Sequence, residues 1–262
     1  MTSADLRYFK EWFTRYCRRH YSPNAEYQKN ILLKESHTFR VCENILRLAD
    51  DLSLISGQRL VAETVALFHD VGRFPQYARF RTFKDSISVN HGLLGAETLI
   101  AENILRDLPR EEREIIVESV KFHNAFSVPK KQNKEINLFI KLIRDADKLD
   151  IWRVFIDHYE SPEESRASAV GLGLPNLPEY SPEVLSCICR KEIVSLGLVR
   201  TLNDFKLLQL SWIFDLNFRA SFRLLSERDY ARRIIAQLPQ AGEIQKVSLL
   251  LEKYVQEKLE TG

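Results

Sequence analysis

Four of the six histidines of this chain fall in one ordered series with acids: His37, then the adjacent pair His69-Asp70, then His91, His123 and the segment Asp145-Ala146-Asp147-Lys148-Leu149-Asp150. Imidazole nitrogens and carboxylate oxygens together bind divalent transition metals, and His69-Asp70 offers one donor of each kind at a single point of the backbone. A divalent ion with an open coordination position lowers the pKa of bound water from about 15.7 to about 7, and a second ion can clamp the oxygens of a displacement at phosphorus. Arg73 stands three residues after Asp70, about one helical turn on, within reach of a phosphate for its planar guanidinium. Lys121, Arg79, Arg81 and Lys84 are further cations near the series, either phosphate contacts or solvated surface charge. His20 and His158 stand outside the series and read as structural.

The elements that must position these residues are helical. Val41, Ile45 and Leu48 recur at helical spacing, which puts His37 on the same stripe one turn earlier. Leu60, Val61, Thr64, Val65 and Phe68 lead into His69. Leu93, Leu94, Ala96, Leu99 and Ile100 follow His91, and Ile115, Ile116 and Val120 precede His123. Ile136, Phe139, Ile140, Ile143, Asp147, Ile151 and Val154 continue as one long helix. Packing these apolar faces together brings the candidate ligands to one place, the all-α way of building a metal site. His69 and Asp70 are neighbours, so their helix must end or distort there, and Gly72 fits an ending. Residues 73–90 read as an irregular connection carrying the basic, aromatic string Tyr77-Ala78-Arg79-Phe80-Arg81-Thr82-Phe83-Lys84.

Domain boundaries follow composition. Residues 1–160 are expected to form the metal-binding helical domain, and the Pro- and Gly-containing stretch 161–182 a connection. Residues 183–262, starting with a helix at Ser181-Pro182-Glu183, read as a helical extension packed on the same core or forming a homodimer interface. At 262 residues the chain can bury a substantial core. A net charge of only +2 argues against a general nucleic-acid-binding surface. No apolar run is long enough to span a bilayer and no secretory signal is apparent. The four cysteines contain no C-x-x-C pair and read as free thiols of a reducing cytoplasm.

Three local patterns resemble the HD-domain superfamily of metal-dependent phosphohydrolases. Leu67-Phe68-His69-Asp70-Val71-Gly72-Arg73 is similar to its apolar-HD-apolar-Gly-Lys/Arg signature, His91-Gly92-Leu93-Leu94-Gly95-Ala96-Glu97 to the H-x-x-x-G-A-E segment of its two-metal branch, and Asp145 to Asp150 to its late D-A-D-x-L-D segment. The resemblance implies an all-α HD-domain helical bundle with additional C-terminal helices. It assigns His37, His69, Asp70 and Asp147 to a primary metal, with Asp70 able to bridge to a second ion held by His91 and His123. Asp147 is preferred to Asp145 because the family's late aspartate is followed three residues on by another acid, here Asp150; Asp145 and Asp150 then support the ligands or the fold. The family more often has lysine where Arg73 stands. The Gly-Tyr-Pro signature of cyclic-di-GMP phosphodiesterases is absent from the stretch Phe122 to Pro129, which disfavours that substrate.

The expected function is therefore hydrolysis of a small phosphoester or nucleotide, with Asp70 and Arg73 as catalytic groups and Arg73 and Lys121 as substrate contacts. The cofactor is one divalent ion and, in the two-metal form, a second; Mn, Fe, Mg, Ni, Co and Zn are not distinguished by the ligands. A di-iron oxygenase on the same scaffold is one alternative, and a non-catalytic binding or signalling protein that keeps the metal for stability is another.

Overall fold

The computed structural model describes all residues except 129–132, 163–166, 168–169, 171–172 and 261–262. Pro129, Gly171 and Leu172, and with them part of the expected connection 161–182, lie outside the described residues. Among the described residues the regular structure is entirely helical. The chain divides into two compact units, Met1–Asp150 with Arg166–Val170, and Ile151–Ser165 with Gly171–Gly262.

In the first unit α1 (Ser3–Arg18), α2 (Ala25–Asp51), α3 (Ser56–Phe68), α4 (Arg73–Phe80), α5 (His91–Ala101) and α6 (Arg110–Phe122) are followed by α7 (Lys134–Glu160), which belongs to this unit as far as Asp150. α2 packs along α3, α5 along α6, and α3 also meets α1 and α6. The apolar periodicity is obeyed on α2, where Val41, Ile45 and Leu48 are buried in line with His37. It fails on α5: His91, Gly92, Gly95, Ala96 and Leu99 are buried, while Leu93 and Ile100 are exposed. The two glycines account for that choice of face. A β-carbon on Gly92 would stand 2.8 Å from the Lys121 carbonyl oxygen, and one on Gly95 would meet Val120 at 3.0 Å, so the glycine edge of α5 lies against α6.

Residues 73–90 are more ordered than their composition suggests. Arg73–Phe80 is helical, ends at Arg81 in the left-handed region (φ 56°), and is followed by a 3₁₀ turn at Asp85–Ile87. Pro75 sits in the first turn, where its missing N–H costs little, and Phe74, Gln76 and Tyr77 are buried. Gly72 does not end α3 in a left-handed cap, because its φ is −68°. Its role is clearance: a β-carbon there would come 2.3 Å from the His91 carbonyl oxygen and 2.5 Å from the Gly95 nitrogen.

An aromatic face of α1 holds the His69-Asp70 turn from behind. Phe9 and Trp12 meet Phe68 edge-on at 5.6 and 5.7 Å, and Phe13 and Tyr16 meet Phe74 at 5.9 and 5.8 Å. Phe68 and Phe74 flank the turn on either side in sequence, and both are fully buried.

The second unit contains the end of α7, α8 (Pro182–Cys189), α9 (Leu202–Ser211), α10 (Arg219–Glu227), α11 (Tyr230–Ile235) and α12 (Gly242–Glu260). Pro182 opens α8 as its sequence suggests, and Thr201 and Asp204 form a capping box on α9. Trp152 donates its indole N–H to the Gln209 carbonyl at 2.9 Å. No helix of the described residues is long and apolar enough to cross a membrane.

The aromatic clamp generates a stability prediction. Phe13 is fully buried, so Phe13→Ala should cost about 3–5 kcal/mol, the range for truncating a core aromatic. Chemical denaturation of the two proteins checks this, and a difference below about 1 kcal/mol would show that α1 is not part of the cooperative core.

Candidate metal centre

Each of the four histidines is fixed at Nδ1 by a protein acceptor. His69 and His123 lie just past the ends of α3 and α6, and each donates Nδ1–H to the carbonyl three residues back, Ala66 and Val120, both at 2.7 Å. The other two use carboxylates. His37 Nδ1 lies 2.7 Å from Asp150 Oδ2, and His91 Nδ1 lies 2.9 and 2.7 Å from the two oxygens of Asp85. A carbonyl or carboxylate oxygen can only accept, so in the neutral rings of His69, His91 and His123 the proton is on Nδ1 and Nε2 carries a bare lone pair, while His37 faces a carboxylate at each nitrogen, Asp150 at Nδ1 and Asp147 at Nε2.

All four Nε2 atoms converge. His37 Nε2 and His69 Nε2 are 3.4 Å apart, and His91 Nε2 and His123 Nε2 are 3.0 Å apart. Asp70 stands between the two pairs. Its Oδ2 lies 3.7 and 3.6 Å from the Nε2 atoms of His37 and His69, and its Oδ1 lies 3.5 and 3.8 Å from those of His91 and His123. Asp147 Oδ1 joins the first pair, 3.0 Å from His37 and 3.6 Å from His69. Two acceptor nitrogens facing each other at such distances, with oxygen acceptors beside them, require a positive charge between them. The donors thus form two groups suited to metal coordination, His37-His69-Asp70 and Asp70-His91-His123, with the donor atoms of each group within 4.8 Å of one another.

The electrostatics differ between the two groups. Burial and the Lys34 charge pull the His37 pKa down, yet its bonds to Asp147 and Asp150 prevail and raise it above the ordinary value. Burial, with the charge of Arg73 adding to it, depresses His91 to about 3, so this ring is neutral. Burial works against ionisation of Asp70 and Asp147 as well. It is overcome at Asp70 chiefly by Lys34 and His69, and at Asp147 by His37 and His69, so both carboxyls lie well below their usual range.

Lys34 and Asp85 carry roles that the sequence reading did not assign. Lys34, one turn before His37 on α2, places Nζ 2.6 Å from Asp70 Oδ2. Its i−3 spacing from His37 is the signal that could have found it. Asp85 lies in a segment without periodicity, and no such signal marks it. Arg73 places Nε 3.5 Å from Asp70 Oδ1, while its Nη1 donates to Gln76 Oε1 (2.8 Å), the Phe83 carbonyl (2.6 Å) and Asp85 Oδ1 (3.0 Å). Gln76, fully buried, donates to Asp85 Oδ1, Ser88 Oγ and the Val89 carbonyl, each at 2.9 Å. Asn124 donates to Asp85 Oδ2 at 3.0 Å. Lys121 turns its ammonium to Glu118 at 3.4 Å rather than to a carboxylate of the cluster, and Arg79 and Arg81 lie over Phe80 and Tyr27. Asp145 is buried on α7. His20 lies against Tyr16 and Phe74, away from the cluster.

The model of the HD domain family matches residues 35–152, just under half of the chain. That stretch is an HD domain. The His/Asp cluster lies within the matched residues, and its order follows the HD motif. The aromatic clamp of α1 and Lys34 lie just outside the match, and so do the helices of the second unit. No curated protein and no solved structure gives a significant match to the chain.

The ring assignments of the HD domain can be checked by ¹⁵N NMR of metal-free protein. His69 and His123 should carry the proton on Nδ1. On lowering the pH from about 8 to about 5, the His37 ring should titrate above its ordinary value of about 6.5, while the His91 ring should remain neutral. Nε2–H signals for His69 and His123 would contradict the convergence of lone pairs.

Proposed function

We propose that the protein is a metal-dependent phosphohydrolase that cleaves a small phosphoester, with nucleotides the first substrate class to test. The observation that carries this reading is the split environment of Asp70, with one oxygen toward the His37–His69 pair and the other toward the His91–His123 pair. His37, His69, Asp70 and Asp147 would hold one divalent ion, and Asp70, His91 and His123 a second. Ions bound there would act as Lewis acids, acidifying water and drawing charge from a phosphoryl group.

The protein's own groups have definable tasks. Asp150 and Asp85 hold the His37 and His91 rings so that Nε2 faces inward, and the Ala66 and Val120 carbonyls do the same for His69 and His123. Lys34 and Arg73 keep positive charge beside the buried Asp70 carboxylate, as a site that receives a phosphate requires. Hydrolysis at phosphorus involves no redox change, so more than one kind of divalent ion should support it.

The test is anaerobic phosphate release from a panel of nucleotides and simple phosphomonoesters with Mn²⁺ or Mg²⁺. Turnover is expected on at least one of them, falling by at least about a thousandfold in Asp70→Ala, in line with removal of a group that acts as a unit with its neighbours. Turnover confined to iron-loaded protein and accompanied by stoichiometric O₂ consumption would contradict the hydrolase reading and support the oxygenase alternative.

A further inference from the structure

Each oxygen of Asp70 has its own cation, and the two cations are not equivalent. Arg73 approaches Oδ1 and Lys34 approaches Oδ2. Both also lie over the ring of Phe83, at 5.7 and 5.4 Å. Phe83, tilted in turn against Tyr77 with ring centroids 4.8 Å apart, is a shared neighbour of the two cations.

The hydrogen bonds they make differ. Nη1 of Arg73 has two hydrogens and faces three acceptors, on Gln76, Phe83 and Asp85. One of those acceptors, Asp85 Oδ1, is also 2.9 Å from His91 Nδ1, so Arg73, Asp85 and His91 form a continuous chain. This guanidinium nitrogen is occupied in building the site, whereas Nε, 3.5 Å from Asp70 Oδ1, has no hydrogen-bond partner among the described residues. Lys34 has three ammonium hydrogens, and among the described residues it makes one hydrogen bond, to Asp70 Oδ2. Its side chain is 16 % exposed, as that of Arg73 is 14 % exposed, while that of Asp70 is 3 % exposed, so both cations lie at the edge of the buried carboxylate. A flexible ammonium with spare donors at the edge of a buried cluster suits a phosphate oxygen as a point charge. Three other basic residues near the series have neighbours outside the cluster: Lys121 with Glu118, Arg79 over Phe80, and Arg81 over Tyr27.

We infer that Lys34 is a cation that receives the substrate's phosphate group, and that Arg73, through Asp85, also positions the His91 ring. The inference rests on the phosphohydrolase reading and deepens it by naming a phosphate contact. It adds to the expectation from sequence, which assigned the contact to Arg73 and Lys121 and did not mark Lys34.

The experiment is calorimetric titration of Mn²⁺-loaded protein with inorganic phosphate, with metal content measured on the same samples. Lys34→Gln keeps a donor for Asp70 but removes the charge. It should weaken phosphate binding by roughly 10- to 100-fold, the span of one charged hydrogen bond, without loss of Mn²⁺. Lys34→Arg should restore most of the affinity. Arg73→Gln should shift the ¹⁵N signals of the His91 ring in metal-free protein, which a loss of phosphate contact alone would not move. Equal phosphate affinity in Lys34→Gln and the unaltered protein would overturn the assignment of Lys34 and leave the hydrolase reading intact. Absence of phosphate binding by the unaltered, metal-loaded protein would overturn both.

Discussion

The structure around the HD motif depends on one constraint: four imidazoles are each fixed at Nδ1 by an oxygen acceptor, so four Nε2 atoms must share a small volume with the Asp70 and Asp147 carboxylates. Such a cluster of acceptors is unfavourable unless positive charge is present. In the protein alone that charge comes from Lys34 and Arg73 at the Asp70 carboxylate and from the raised pKa of His37. Divalent ions in the two donor groups would meet the same need with better geometry. The identity of the groups behind the rings therefore matters as much as the rings themselves, because a histidine free to rotate or change tautomer would turn its lone pair away.

Bringing four helix ends and faces this close needs places where backbone meets backbone. Gly72 approaches the His91 carbonyl and Gly95, and Gly92 approaches the carbonyls of Val120 and Lys121, at distances that leave no room for a β-carbon. These contacts carry the turn after α3 onto the start of α5, and the start of α5 onto the end of α6. They bring Asp70 against the His91–His123 pair. From the opposite side, the aromatic face of α1 grips Phe68 and Phe74, so the turn with His69 and Asp70 is held at both of its shoulders.

Much of this arrangement was legible in the sequence because it is periodic or because it is chemistry. The stripe Val41, Ile45, Leu48 put His37 on a buried face, the adjacency of His69 and Asp70 called for a helix end there, and Ile115, Ile116 and Val120 led to His123. The irregular reading of residues 73–90 was wrong for α4, since a basic, aromatic octet with a proline gives little periodic signal, whereas burial of Phe74, Gln76 and Tyr77 decides the outcome. Gly72 resembled a helix stop, but its purpose is a long-range contact with α5, and no local pattern encodes such a contact. Asp85 was invisible for the same reason: its value comes from His91, Arg73, Gln76 and Asn124, which meet it only after folding.

The central claim is that Asp70 joins two metal positions, each completed by two histidines. Anomalous diffraction from crystals soaked in Mn²⁺ tests it most directly. The account predicts two peaks flanking the Asp70 carboxylate, one against His37, His69 and Asp147 and the other against His91 and His123. A single peak with His91 and His123 hydrogen-bonded to protein through Nε2, or peaks away from Asp70 altogether, would contradict it.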